Sequence, residues 1–285
     1  MHKPLLTVRQ AEQFGKQALS EIIGIDIALE SAVLLAHAVQ KDRSWLFAWP
    51  EKTLSTQQQQ LYESYLQRRL KGEPVSYITG YREFWGLELK VSADTLIPRP
   101  ETELLVETAL GRINKATAKV LELGTGTGAI SAALMTERPA WKILATDSNA
   151  ETLAIASENF KKHRLKIETL LSDWFACIPD EKFDLIISNP PYIESGDPHL
   201  RQGDLRFEPI TALASGKDGL NAIRKIVQQA GAYLDDKGWL MLEHGYNQGD
   251  AVSSLLEKSG FSSIETLNDL SENDRITIGQ PPKKP

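Results

Sequence analysis

At 285 residues, with 41% hydrophobic and 25% charged content, the chain suits one large domain or a large domain with a small one, and no apolar run approaches the length of a membrane span. A net charge of −6 argues against a broad phosphate-binding footprint, so neither a stable nucleic-acid complex nor a membrane is an expected partner. One cysteine, Cys177, excludes an internal disulfide framework, reads as a small buried hydrophobe and fits a reducing cytoplasm. The five histidines form no zinc pattern, and Met1 to Thr7 lack the apolar core of a secretory leader.

Residues 1–72 read as a small helical bundle that docks the substrate. Thr7 with Gln10 and Ser55 with Gln58 resemble capping boxes, and Asp26 and Asp42 suit two further N-caps. Ala28, Leu35, Ala36 and Val39 recur at helical spacing, as do Leu61, Tyr65 and Leu66. Trp45 and Trp49, one helical turn apart and without basic neighbours, are expected in the core and not as a platform for bases. Gly72-Glu73-Pro74 breaks the pattern. Val75 to Val91, rich in aromatic and β-branched residues and punctuated by Gly80 and Gly86, predicts a hairpin, so residues 73–95 form a linker. In Leu96-Ile97-Pro98-Arg99-Pro100-Glu101-Thr102-Glu103, two prolines fix an extended approach and Glu101 or Thr102 opens a helix through Leu110. Arg99 and Glu101 read equally as surface charges or as a wall of an active site.

From Lys119 strands and helices alternate, which predicts a doubly wound, mostly parallel seven-stranded sheet within residues 96–285. The strands are expected at Lys119–Leu123, Lys142–Thr146, Lys166–Leu170, Phe183–Ser188, Trp239–Glu243, Phe261–Thr266 and Arg275–Gly279. Helices are expected at Ala129–Arg138, Ala150–Lys162, Gly219–Leu234 and Gln248–Lys258. No clear helix separates the last two strands, so they read as a terminal hairpin with one antiparallel strand. The tail Pro281–Pro285 reads as frayed.

Gly124-Thr125-Gly126-Thr127-Gly128 sits between the first sheet strand and its helix, where glycines admit a ligand to the backbone and the helix offers free N–H groups. Gly124, Gly126 and Ala129 also satisfy a dinucleotide fingerprint; the lack of a following Lys-Ser or Lys-Thr excludes a P-loop. Asp147, ending the second strand, is placed to meet ribose hydroxyls or, more plainly, to cap the next helix. Asp173-Trp174 suits an adenine amino group and ring, or an exposed turn with a core indole. Asn189-Pro190-Pro191-Tyr192 ends the fourth strand with an amide, two prolines that fix φ, and a flat ring. If strands one and four are neighbours, this tetrapeptide and the glycine loop face one crevice. The groups of this tetrapeptide could together grip a small planar group with an NH2, such as an amide or a base edge; if it is an amide, Asn189 Oδ1 and the Pro190 carbonyl are expected to accept its two N–H bonds under the Tyr192 ring, with no general base needed. His199 and His244 read as structural. The long polar stretch from Ile193 to Leu213 reads as a lid that orders around substrate.

The run Glu122 to Gly128 is similar to the cofactor loop of the class I S-adenosylmethionine-dependent methyltransferases, and Asn189 to Tyr192 resembles the signature of those that methylate planar nitrogens. Ile97 to Glu103, Ser172-Asp173-Trp174, Arg206-Phe207-Glu208-Pro209 and Glu243-His244-Gly245 resemble the peptide chain release factor glutamine N5-methyltransferases, nearly along the whole chain. Glu101 departs from an aspartate common in that family but keeps the charge. The resemblance implies S-adenosylmethionine as cofactor, contacted by Gly124, Thr125, Gly126, Thr127, Gly128, Asp147, Asp173, Trp174 and Asn189. It implies as substrate the glutamine of the Gly-Gly-Gln motif in class 1 release factors, held by Asn189, Pro190, Pro191 and Tyr192 past Arg99 and Glu101. Separately, a cytoplasmic monomer is expected. The competing readings are a methyltransferase of adenine or guanine, one acting on a ribosomal protein glutamine, a dinucleotide-dependent dehydrogenase and a non-catalytic cofactor-binding module.

Overall fold

The structure is a computed structural model that describes residues 4–282. It divides into two compact units. One runs as far as Tyr81 and also takes in Gly203–Phe207; the other comprises Arg82–Gln202 and the chain from Glu208 onward. No helix among the described residues is long and apolar enough to cross a membrane.

The first unit is built from α1 (Val8–Leu19), α2 (Ile27–Val39), α3 (Arg43–Ala48), α4 (Thr56–Leu70) and α5 (Val75–Thr79). Thr7–Gln10 and Ser55–Gln58 are complete capping boxes, while Asp26 and Asp42 accept from Leu29 N and Trp45 N. Each satisfies donors that a helix start leaves unpaired. Val8, Leu19, Leu34, Leu35, Leu46 and Leu66 close the core around the Tyr62 ring, whose hydroxyl pairs with Ser31 Oγ at 2.8 Å. That hydroxyl fills the space beside Gly15, where any Cβ would lie 1.8 Å from it, so only glycine fits there. Arg69 is buried, and its guanidinium binds Glu30 at 2.7 Å and Asp204 at 3.0 Å.

Two expectations fail here. Val75–Thr79 is a helix and not part of the hairpin: Pro74 presets φ at its start, and Tyr77 N and Ile78 N bond back to the Pro74 carbonyl so that Ile78 is buried. Trp45 packs partly on the core, but α3 ends at Ala48 and Trp49 leaves helical geometry at φ −128, ψ 52, which turns its ring to solvent at 57% exposure.

In the chain that follows, β1 (Tyr81–Phe84) and β2 (Leu87–Lys90) form a two-stranded hairpin around Trp85-Gly86, followed by α6 (Glu103–Arg112). The larger sheet uses β3 (Lys119–Leu123), β4 (Lys142–Asp147), β5 (Glu168–Leu171), β6 (Phe183–Ser188), β7 (Leu234–Glu243), β8 (Ser262–Asn268) and β9 (Asp274–Gln280). Its order is β5-β4-β3-β6-β7-β9-β8, parallel except for β9, which runs antiparallel to both neighbours. The doubly wound, mostly parallel seven-stranded sheet expected from the alternation is thus present, with its terminal hairpin. Helices α7 (Ala129–Glu137), α8 (Ala150–Lys162), α10 (Asn221–Tyr233) and α11 (Gly249–Lys258) connect the strands, and a single turn, α9 (Ile210–Leu213), precedes α10. All six residues of β6 are buried, as a strand covered on both faces requires.

Boundaries differ from expectation by up to five residues, most at β7, which begins at Leu234 because that residue already pairs with Phe183. Cys177 is exposed and not a core residue, since it lies in the turn after Trp174, where its N–H bonds to Ser172 Oγ. Between Ile193 and Leu213 the chain makes short helical turns at Pro198–Arg201, Gly203–Phe207 and α9, and Ile193 pairs with Ala214 at the base. Pro281 is buried and not frayed; residues 283–285 of the expected tail lie outside the described residues.

Asn159 in α8 is fully buried and ties β2 to the glycine loop: it accepts from Lys90 N at 2.7 Å and donates to Lys90 O at 3.0 Å and Thr127 O at 2.9 Å. Asn159→Ala leaves those backbone groups unpaired, at about 1–3 kcal/mol for each one that stays dry. A clearly lower urea midpoint by circular dichroism is expected; an unchanged midpoint would mean that water replaces all three bonds.

Candidate active site

The position of the site follows from one pairing. β3 and β6 are parallel neighbours, with Leu121 opposite Ile186 and Glu122 opposite Ile187. Their carboxyl ends therefore release the glycine loop and the Asn189–Tyr192 segment side by side, and a pocket opens there. Its lining includes Asp94, Leu96, Pro98, Arg99 and Thr102, then Glu122 and Gly124 to Thr127, then Asp147 to Asn149, Ser172 and Trp174, and Asn189, Pro191, Pro209, Thr211 and Ala212.

The glycine loop ends at Gly128, which starts α7 at φ +82. A Cβ there would lie 2.5 Å from the Phe160 ring, so both the left-handed backbone and the packing demand glycine. Asp147 Oδ2 accepts from Gly126 N at 3.0 Å and Oδ1 from Asn149 N at 3.1 Å, so this carboxylate shapes the loop as well as facing the pocket. Burial raises its pKa, against the bonds from Gly126, Asn149 and Ser148. Glu122 is wholly buried under the loop. Its Oε2 accepts from Thr125 Oγ1 at 2.7 Å, from Ser131 N at 3.2 Å and from Ser131 Oγ, while Oε1 has no partner.

The second half of the site hangs on Asn189. Its Nδ2 donates to Thr102 Oγ1 at 3.1 Å, and Thr102 is buried where the chain enters α6. Pro190, next in the chain, is buried. The Tyr192 hydroxyl donates to Glu243 Oε1 at 3.4 Å, and its carbonyl accepts from Gln248 Nε2 at 3.0 Å. Burial, then the Glu243 charge, pushes the Tyr192 phenol above its ordinary range, so it stays protonated. Burial also pushes Glu243, at the end of β7, up to about 7, against bonding from Thr102 and the charge of Arg275. Arg99 pairs with the buried Glu208, whose other oxygen accepts from Ile97 N at 3.0 Å. His244 is buried between Thr277 Oγ1 and the Gly245 carbonyl, a structural position.

Asn189, Pro191, Arg99, Gly124 to Thr127, Asp147 and Trp174 thus come together on one pocket. Asp173 does not: it is exposed, and Ser172 and Trp174 line the pocket on either side of it. Glu101 is exposed at the start of its helix, and it, Pro190, Tyr192 and Gly128 are not among the residues that line the pocket. Thr102, Glu208 and Gln248 were not among the residues expected at the site; Glu208 and Glu243 had surfaced only inside motifs shared with the family.

The pocket fits a cationic nucleoside cofactor. It offers a buried carboxyl oxygen at Glu122 without a partner, a second carboxylate at Asp147, loop N–H groups and the Trp174 indole. A nucleoside with a sulfonium side chain supplies hydroxyls, a flat base and a positive charge to match.

A family model described as the PrmC N-terminal domain matches residues 10–80, and one described as the Methyltransferase small domain matches residues 100–203. The release factor glutamine methyltransferase of Pseudomonas aeruginosa is 50% identical over 253 residues, covering 88% of this chain and 92% of that protein. The one from Aliivibrio fischeri is 45% identical over 254 residues, covering 88% and 89%. Among solved structures, a methyltransferase from Pyrococcus furiosus superposes with a TM-score of 0.54 at 17% identity, over 78% of this chain and 100% of that one, a likeness of fold.

Burial holds Glu122 at about 7, above an ordinary 4.5 and against the bonds from Ser131 and Thr125. A folded-state value above the unfolded one means that the bound proton favours the fold. This contribution is complete below about pH 4.5 and is lost as the pH rises through about 7. Stability measured from about pH 5 to about pH 8 should therefore move in favour of Glu122→Gln relative to wild type. A difference that is constant across that range would mean this carboxyl does not titrate there.

Proposed function

The chain belongs to the family of release factor glutamine methyltransferases, and from that premise we propose that it methylates N5, the side-chain amide nitrogen, of the glutamine in the Gly-Gly-Gln motif of class 1 peptide chain release factors. Its cofactor is S-adenosylmethionine, which when bound supplies a methyl group made electrophilic by a sulfonium. Glu122, the loop Gly124 to Gly128, Asp147 and Trp174 are the residues that would hold it. The observation that carries the reading is the Asn189 carboxamide: its nitrogen is taken by Thr102, which leaves its oxygen as the polar atom to offer a ligand.

An amide nitrogen is a poor nucleophile because its lone pair is delocalised into the carbonyl. In this reading Asn189 Oδ1 and the Pro190 carbonyl each accept one N–H of the substrate amide. Two fixed acceptors set the face of the nitrogen and favour positive charge as it builds there. Orientation of this kind can supply up to about 7–11 kcal/mol. Tyr192, its hydroxyl tied to Glu243, covers the flat amide. Arg99, fixed by Glu208, forms the wall past which the glutamine enters, and Glu101 stands at the rim. The proton leaves the methylated, and now acidic, nitrogen without a dedicated base. The helical unit, with its separate core, is read as the surface that docks the folded release factor. We read a monomer as the acting form, in the cytoplasm with its substrate.

Two measurements test this. Asn189→Ala should lower kcat by about 10²–10³ and change the calorimetric affinity for S-adenosylmethionine far less; near-normal kcat at saturating substrate would remove the amide clamp. A competition with labelled cofactor, offering a release factor, the same factor with its Gly-Gly-Gln glutamine changed to alanine, duplex DNA and ribosomal RNA, should label the first alone. Label on nucleic acid, or persisting on the altered factor, would overturn the substrate assignment.

A further inference from the structure

The backbone at Trp174 is strained where it meets the pocket. Its φ of +52 lies in the left-handed region, which a bulky side chain adopts only at a cost. Trp174 lines the pocket, and its six-membered ring lies against the glycine loop: a Cβ at Gly124 would stand 3.8 Å from Trp174 Cζ3. An extended or right-handed backbone at position 174 would swing Cβ round and aim the indole elsewhere. Strain of this kind persists only where the surroundings impose it.

What imposes it here is Ser172, the first residue after β5. Ser172 N donates to the Asp147 carbonyl at 2.9 Å, which docks the turn on the end of β4. Ser172 Oγ donates to the Trp174 carbonyl at 2.9 Å and accepts from Cys177 N at 3.0 Å. The hydroxyl thus gives its one proton to the strained residue and a lone pair to the end of the turn. Ser172 is buried, so both bonds are made away from bulk water. A turn closed in this way holds the Trp174 backbone before any ligand arrives.

We propose that Ser172 is a positioning residue for the cofactor: its hydroxyl holds Trp174 in the left-handed backbone that stands the indole against the glycine loop, a preformed wall for the flat base. The role rests on the cofactor reading given above. In Ser172→Ala the Trp174 carbonyl and Cys177 N lose this partner, the backbone at 174 relaxes, and the indole leaves its place. Binding must then re-form the wall, and affinity falls by the fraction of molecules that hold it.

By calorimetry, full-length Ser172→Ala should bind S-adenosylmethionine and its demethylated product about 10-fold more weakly, as for a wall formed in about a tenth of the molecules. In a Trp174→Ala background the same change should cost no further affinity, because the hydroxyl acts through the indole. Losses that multiply would mean that Ser172 meets the cofactor itself, and they overturn the proposal, as does a Ser172→Ala affinity equal to wild type. The indole N–H resonance of Trp174, one of six tryptophans and assigned by its loss in Trp174→Phe, reads the wall with no cofactor present. Displacement or broadening of that resonance in Ser172→Ala, with those of the core residue Trp141 and of Trp239 in place, supports the role. An unchanged Trp174 resonance sinks it, and so does displacement of all three, which marks a general loosening of the fold. If wild-type protein binds neither form of the cofactor, the cofactor assignment falls, while the resonance still decides whether Ser172 sets the indole.

Discussion

The parallel pairing of β3 with β6 is the constraint on which the site depends. In a parallel sheet, neighbouring strands end on the same edge, so whatever follows each carboxyl end is delivered to one place. β3 delivers a glycine loop that opens a helix; β6 delivers a carboxamide and two prolines. Their meeting needs no long-range coincidence beyond the register that sets Leu121 against Ile186. The strands themselves are held by apolar burial on both faces, so the framework is rigid where the chemistry requires fixed distances.

That rigidity makes buried charge tolerable. Glu122 and Glu243 stand at or near the carboxyl ends of β3 and β7, and burial raises both well above an ordinary carboxyl. Neither position suits a fold selected for stability alone, since an apolar residue of similar size would pack at lower cost. Each is instead met by hydroxyls: Ser131 and Thr125 at Glu122, Tyr192 at Glu243. Hydroxyls can turn to follow a change of charge or partner, which a packed methyl cannot do.

Much of this was legible in the sequence, for a physical reason. Strand and helix periods, glycine loops and an Asn-Pro-Pro-Tyr ending are local patterns, and the sheet and its two active loops are written in them. What was not legible is made of contacts between distant residues. Asn189 meets Thr102 across 87 positions, Tyr192 meets Glu243 across 51, and Arg99 meets Glu208 across 109. No spacing rule links them. Local patterns also misled where two structures share the same punctuation. Pro74 and Gly80 bracket a single helical turn as readily as they bracket a strand, and burial of Ile78 decided for the helix. Asp173 looked like the polar group of the Ser172-Asp173-Trp174 turn, but the turn points it outward and its neighbours inward.

The helical unit is discontinuous in sequence. Its five α-helices end by Tyr81, but its contacts also claim Gly203–Phe207, a short piece of the stretch that follows Asn189–Tyr192. Asp204 from that piece faces Arg69, whose side chain is only 4% exposed, and Arg206 donates to the Lys71 carbonyl at 2.7 Å. Modularity is therefore limited. A fragment ending at Tyr81 would retain every α-helix of the unit and still strip a buried guanidinium of one of its two carboxylates. Recombination between relatives by a single crossover after Tyr81 would unite α4 from one parent with residues 203–207 from the other. Such chimeras inherit a working unit only when both parents agree on the Arg69–Asp204 pair, so the two segments are bound to vary together.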